Sequence, residues 1–180
     1  MRTKHVESID IPEGVSCEIE GNSLTCKKEN LEVTKTIQIS SSVVKIDGNQ
    51  IQIVSEKANK KIKSYMKTFA AHIRNLFKGL NENFVYELEI CHVHFPMTVK
   101  VEGDKLSISN YLGEKEKRFA KILPDVKVDV KGNKITVSSH NLENAGQTAA
   151  NIEKASKITN KDRRVFQDGI FMTNKNGRMI

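Results

Sequence analysis

The chain has 180 residues, of which 38% are hydrophobic and 28% charged. That composition suits a globular protein with room for one large domain or two small ones, and argues against disorder. No apolar run is long enough for a transmembrane helix, Met1-Arg2-Thr3-Lys4-His5 leads into no signal-type apolar segment, and three Cys are too few for a disulfide scaffold, so a soluble, reducing compartment is expected, with no membrane partner. The formal net charge of +7 is unevenly spread: residues 154–180 hold seven cations, Lys154, Lys157, Lys161, Arg163, Arg164, Lys175 and Arg178, against Asp162 and Asp168. A concentrated basic end points to a polyanionic partner or to a solvated charged tail.

In chain order, the first feature is one half of a repeat. Ile9-Asp10-Ile11-Pro12 has a counterpart in Val93-His94-Phe95-Pro96. Val15-Ser16-Cys17-Glu18-Ile19-Glu20-Gly21-Asn22-Ser23-Leu24 parallels Met97-Thr98-Val99-Lys100-Val101-Glu102-Gly103-Asp104-Lys105-Leu106 at an offset of 82 residues. Val44–Ile53 parallels Val128–Val137 at an offset of 84. Each block alternates apolar and polar residues around a Gly-containing turn, the pattern of a β-hairpin. With Gly21-Asn22 as a two-residue turn, Ile19 stands opposite Leu24 and Cys17 opposite Cys26, all four on one face. The sister hairpin has Val101, Leu106, Val99 and Ile108 in those places, so the two cysteines read as buried hydrophobes rather than a redox pair.

A helix follows each pair of hairpins. In the first, Ile62, Tyr65, Met66, Phe69, Ala70, Ile73, Leu76 and Phe77 recur at helical spacing as a core stripe. Lys57, Lys60, Lys61, Lys63, Lys67, Arg74 and Lys78 take most of the remaining positions, as a solvated face or a phosphate contact. Asn59 or Ser55 is placed to cap its start and Gly79 to end it. The second helix is expected over roughly 141–157, with a narrow stripe of Leu142, Ala145, Ala149, Ile152 and Ala155; Gly146 weakens it by about 1 kcal/mol relative to Ala. The expected fold is therefore α+β, as two tandem copies of a small unit with antiparallel strands packed around one helix, covering residues 1–82 and 83–180.

The cluster most suggestive of an enzyme is Cys91-His92-Val93-His94, where His92 and His94 would share a strand face. Zinc needs three or four convergent ligands, and no H-E-x-x-H or paired C-x-x-C completes the set. There is no G-x-S-x-G elbow, P-loop or dinucleotide-binding glycine pattern. No catalytic residue, metal or cofactor is expected.

Glu114-Lys115-Glu116-Lys117-Arg118 is a mixed charge run suited to an exposed strand or loop. Asn160-Lys161-Asp162-Arg163-Arg164-Val165-Phe166-Gln167-Asp168-Gly169-Ile170 differs: it lies past the second helix, where a compact unit has room to end, and interleaves cationic, amide and aromatic side chains. Arginine binds phosphate with a planar fork and stacks on bases, and folded RNA is read through shape, backbone and 2′-hydroxyls. The expected RNA-binding residues are Lys157, Asn160, Lys161, Arg163, Arg164, Lys175 and Arg178, with Lys115, Lys117 and Arg118 weaker because Glu114 and Glu116 offset their field. Phe166 is placed to stack on a base or to pack on its own domain. In an extended segment Arg163 and Arg164 would point to opposite sides.

Several segments carry a specific resemblance. They are Ala70-Ala71-His72-Ile73-Arg74-Asn75 with Lys78-Gly79, the run from His94 to Gly103, Leu112-Gly113-Glu114-Lys115, Gly146-Gln147-Thr148-Ala149-Ala150-Asn151-Ile152-Glu153, and Arg164-Val165-Phe166-Gln167-Asp168-Gly169-Ile170. Over essentially its whole length the chain resembles the universal large-subunit ribosomal protein family numbered six in bacteria and nine in eukaryotes, in its archaeal and eukaryotic branch. The resemblance implies two tandem α+β domains and a non-enzymatic constituent of the large subunit. It further implies binding to large-subunit ribosomal RNA chiefly through the C-terminal domain, near the sarcin–ricin loop and stalk base, with neighbouring ribosomal proteins and docking translation factors close by. Localisation would be the cytoplasmic ribosome, and the nucleolus during assembly in a eukaryote. One departure is Lys27-Lys28-Glu29-Asn30-Leu31, where the family usually has a K-G-P-x-G type loop. Competing readings are a free-standing RNA-binding regulator and a metal-dependent hydrolase using His92 and His94.

Overall fold

A computed structural model describes residues 3–29, 31–37 and 42–180, and the chain falls into two units, Met1–Glu82 and Asn83–Ile180. The first unit contains β1 (Thr3–Asp10), β2 (Ser16–Glu20), β3 (Ser23–Lys28), β4 (Leu31–Thr36), β5 (Val43–Asp47), β6 (Gln50–Ala58) and α1 (Lys60–Asn81). Its strands form two antiparallel sheets, ordered β1-β6-β5 and β2-β3-β4. Period-2 alternation and the two-residue turn set the register: Ile19 pairs with Leu24, Cys17 with Cys26, Ile46 with Ile51 and Val44 with Ile53. Gly21 and Gly48 hold the turns at φ +58° and +57°, the left-handed region that favours glycine.

Helix α1 buries Met66, Phe69, Ala70, Ile73, Leu76 and Phe77 against Ile9, Leu24, Cys26, Ile51 and Ile53. Asn59 is its cap, with Oδ1 accepting the Ile62 N–H at 2.8 Å. Two details depart from the periodicity reading. Tyr65 lies 50% exposed rather than in the core, because at about 100° per residue it falls on the outer edge of the stripe. Gly79 is buried inside the helix, which runs on to Asn81 and ends where Glu82 turns extended and donates its N–H to the Lys78 carbonyl. In the Lys27–Leu31 loop, Asn30 lies outside the described residues, as do Met1 and Arg2.

The second unit contains β7 (Phe84–Cys91), β8 (Thr98–Glu102), β9 (Lys105–Ser109), a 3-10 turn at Tyr111–Gly113, β10 (Arg118–Lys121), β11 (Lys127–Lys131), β12 (Lys134–Ser139), α2 (Leu142–Ala155), β13 (Gly169–Lys175) and β14 (Arg178–Met179). The sister pairings recur in the same register: Val101 with Leu106, Val99 with Ile108, Val130 with Ile135 and Val128 with Val137. The β11-β12-β7 ladder therefore repeats β5-β6-β1. Among the described residues the first sheet stops at β1, whereas the second continues through β13 to β14. The basic end is thus no appendage past a finished unit: β13 pairs with β7 from Gly169 opposite Cys91 to Lys175 opposite Tyr86, and Ile170 is fully buried. Helix α2 packs through Ala145, Thr148, Ala149 and Ile152. Gly146 sits so close to the sheet that a Cβ there would lie 3.1 Å from the Tyr86 hydroxyl.

Candidate nucleic-acid interface

The segment from the end of α2 to β13 is folded onto the unit at both ends. Ser156 Oγ accepts the Ile170 N–H at 2.8 Å and so ties the helix terminus to β13. Asn160 turns the chain at φ +58°. Asp162 organises the next turn: its Oδ1 accepts the Arg164 N–H at 2.9 Å, and its carbonyl accepts the N–H groups of Val165 and Phe166. Arg163, Arg164 and Val165 therefore occupy a turn rather than an extended strand, so the alternation argument for the two arginines does not apply. Lys157, Asn160, Lys161, Arg163 and Arg164 are all exposed.

Asp168, 2% exposed, is the anchor of the site. Its Oδ1 accepts the N–H groups of Val93 (2.7 Å) and His94 (3.0 Å), and its Oδ2 lies 2.6 Å from His94 Nδ1. Burial alone would raise the carboxyl pKa; the ring of His94 and the two backbone donors outweigh it and bring it down to about 2. An ionised carboxylate only accepts, so the His94 ring donates. Phe166 stacks on His94 with ring centroids 5.0 Å apart, and Lys161 Nζ lies 4.5 Å from the Phe166 centroid. Phe166 thus packs on its own unit with a cation close to its ring. His92 lies past the end of β7, so it does not share a strand face with His94. Among the described residues no group of three or more His, Cys, Asp or Glu is placed to hold a metal ion.

Beside this anchor lies a groove of about 880 Å³. Lys154, Lys157 and Arg163 supply its cations, Phe166 and Phe171 its aromatic rings, and Glu153 an acidic edge. Such a surface offers point charges and a guanidinium fork to phosphates and ring faces to unstacked bases. Lys154 and Phe171 were not among the residues expected from the sequence. The three-residue spacing of Lys154 and Lys157 at a helix end was the available signal for the first. Placing Phe171 required knowing that residues 169–175 form a strand.

The other expected residues are not all gathered here. Lys175 and Arg178 pair across the β13–β14 turn, exposed, at the opposite end of β13 from the groove. Four residues of strand separate Lys175 from Phe171 on the groove wall, about 13 Å. Lys115 and Lys117 are exposed, with Lys117 Nζ 3.6 Å from Glu102. Arg118 is engaged within the fold. It donates to both Glu114 carboxylate oxygens at 2.7 and 2.6 Å and to the carbonyls of Ala155 (3.1 Å) and Lys157 (3.2 Å). Its guanidinium also lies 4.1 Å from the centroid of buried Tyr111, whose hydroxyl donates to the Asp168 carbonyl. Arg118 therefore holds the end of α2 beside β10.

Comparison with known proteins adds an independent line. The family described as Ribosomal protein L6 matches residues 95–169. Large ribosomal subunit protein uL6 of Methanocella arvoryzae is 40% identical over 176 residues, spanning 97% of this chain and 99% of its own. The protein of that name from Methanosarcina mazei is 44% identical over 168 residues, spanning 93% of this chain and 96% of its own. That from Sulfurisphaera tokodaii is 43% identical over 177 residues, spanning 97% and 95%.

Proposed function

The chain belongs to the ribosomal protein L6 family, and we propose that it is a non-enzymatic constituent of the large ribosomal subunit that binds ribosomal RNA through its second unit. The observation that carries this reading is the groove between α2 and β13, with Lys154, Lys157 and Arg163 on its walls and Phe166 and Phe171 beside them. Lys161 and Arg164 are exposed on the same turn-rich segment as Arg163. Phosphate contacts from such a cluster supply affinity, and the rigid Asp168 anchor holds their geometry in place. The location follows the family resemblance: near the sarcin–ricin loop and stalk base, where translation factors dock and other ribosomal proteins adjoin. The compartment is then that of the ribosome. Lys175 and Arg178, at the far end of β13, form a second contact point on the same RNA, and Lys115 and Lys117 a peripheral one.

Titration of the full chain with a large-subunit RNA fragment across a salt series tests this. Replacing Lys161, Arg163 and Arg164 by Ala is expected to weaken binding and to lower the salt slope by about 1 per lost phosphate contact. Unchanged affinity and slope in a folded variant would overturn the reading. Co-sedimentation of the native protein with large subunits separates a ribosomal constituent from a free-standing RNA-binding regulator.

A further inference from the structure

We propose that α1 in the first unit carries a further phosphate-binding surface, a cationic stripe of Lys60, Lys63, Lys67, Arg74 and Lys78 that lies along the ribosomal RNA backbone. The inference rests on the reading of the chain as an RNA-binding protein, but on residues of the other unit.

At 100° per residue these five side chains fall within about 60° of arc on one flank of the helix, beside the buried stripe. From Lys60 to Lys78 they span about 27 Å at 1.5 Å per residue. No Asp or Glu occurs anywhere from Lys57 to Asn81. Among the described residues none of the five forms an ion pair. A hollow of about 500 Å³ opens on the stripe, walled by Ala58, Lys60, Lys63, Ser64 and Lys67.

The arrangement works against the helix that bears it. Lys63 and Lys67, and Arg74 and Lys78, are like-charged at four-residue spacing, and Lys60 and Lys63 at three, which repels on a helix surface. The first turn of α1 has no acidic residue and carries lysines near the positive end of the macrodipole. Helix α2 of the same chain follows the opposite, favourable rule, with Glu143 in its first turn and Lys154 in its last. A solvated face intersperses both signs, as Glu114, Lys115, Glu116 and Lys117 do. A single-sign stripe that costs its own helix stability is offset when a polyanion neutralises it, and local rules are broken most often at functional sites.

The partner chemistry follows from what lies between the cations. Ser64 and Ala71 are small and exposed, so the charged heads make first contact and no apolar anchor stands among them. A protein partner requires a desolvated apolar or aromatic centre. A linear run of phosphates requires only a line of cations.

The test is the salt-dependent titration of full-length protein with large-subunit RNA, using Lys60→Gln, Lys67→Gln, Arg74→Gln and Lys78→Gln combined. The expected result is a salt slope lower by up to about 4, one per lost contact, with a helix signal equal to or greater than that of the parent because the repulsion is relieved. An unchanged slope with α1 folded overturns the inference. The second-unit variant at Lys161, Arg163 and Arg164 is run alongside: loss there without loss in the stripe variant sinks only the stripe, and the reverse sinks only the second-unit groove. An unchanged RNA slope accompanied by lost binding to polyglutamate would show a surface for acidic protein and equally overturn the proposal.

Discussion

Asp168 Oδ2 lies 2.6 Å from His94 Nδ1 across 74 residues of chain, and one buried carboxylate thereby fastens the loop after β7 to the start of β13. The same side chain accepts two backbone N–H groups from that loop. The groove's shape depends on this junction, since Phe166 rests on His94 and Lys161 on Phe166.

Replacing Asp168 by Ala leaves three part-buried donors without their acceptor, and the expected loss of stability is about 1–3 kcal/mol. The pH dependence has a definite sign. The folded-state pKa is depressed to about 2, so the carboxylate's contribution is fully present above its ordinary value near 4 and is lost as pH falls through about 2. Urea midpoints of parent and variant should differ at neutral pH and converge between about pH 4 and 2. A gap that stays constant over that range would show that the ionised carboxylate is not what holds the loop.

Arg118 is a structural cation, in contrast to the exposed cations proposed to face RNA. Lysine in its place keeps the charge but not the planar fork that meets both Glu114 oxygens and two carbonyls while stacking on Tyr111. Arg118→Lys is expected to reduce stability by about 1–2 kcal/mol and leave the salt slope of RNA binding unaltered. A slope reduced by about 1 with unchanged thermal stability would move Arg118 to the RNA surface instead.

The hairpins were legible because local rules govern them. A two-residue turn and period-2 alternation determine which of Cys17, Ile19, Leu24 and Cys26 face one another, and the repeat states the rule twice. What was not legible depends on distant partners. Among the described residues strand β13 has no counterpart in the first unit, so the repeat was silent about it, and its partner β7 lies some eighty residues earlier. Asp168 looked like one of two acids in a basic tail; only the folded chain brings His94 to it. Arg118 looked like the end of a charge run, and its carbonyl acceptors at Ala155 and Lys157 follow from packing α2 beside β10, which no spacing in the sequence encodes.

Cys17 and Cys26 are facing thiols with Sγ atoms 3.0 Å apart, and Cys26 is fully buried. Its hydrogen bond with Cys17 and its burial push the Cys26 thiol pKa well up, which favours the neutral form. Val99 and Ile108 stand at the same register in the sister hairpin. Cys17→Val is therefore expected to change stability by less than about 1.5 kcal/mol. Cys26→Ser places a hydroxyl in an apolar core and is expected to cost about 1–3 kcal/mol. Urea unfolding of the two variants distinguishes them, and the opposite ranking would show that the pair is retained for thiol chemistry rather than packing.

Truncation before Gly169 tests whether the basic end is a tail or a strand. Removing residues 169–180 takes away the ladder from Gly169–Cys91 to Lys175–Tyr86 and exposes one whole edge of β7. It also removes Ile170 from the core and deprives Ser156 of the N–H it accepts at 2.8 Å. A buried isoleucine alone contributes about 2–5 kcal/mol when cut to alanine, and here an entire strand goes with it. The second unit is expected to lose protection from amide hydrogen exchange at Leu88 in β7 and Ile152 in α2, both of which are buried in the intact chain. Retained protection at those two amides would mean that β13 only covers a sheet already stable without it. If protection is lost, a truncated chain that no longer binds RNA has lost its fold rather than its contacts. The proposed RNA surface must then be tested by substitutions at exposed Lys157, Lys161, Arg163 and Arg164, where the backbone ladder stays whole.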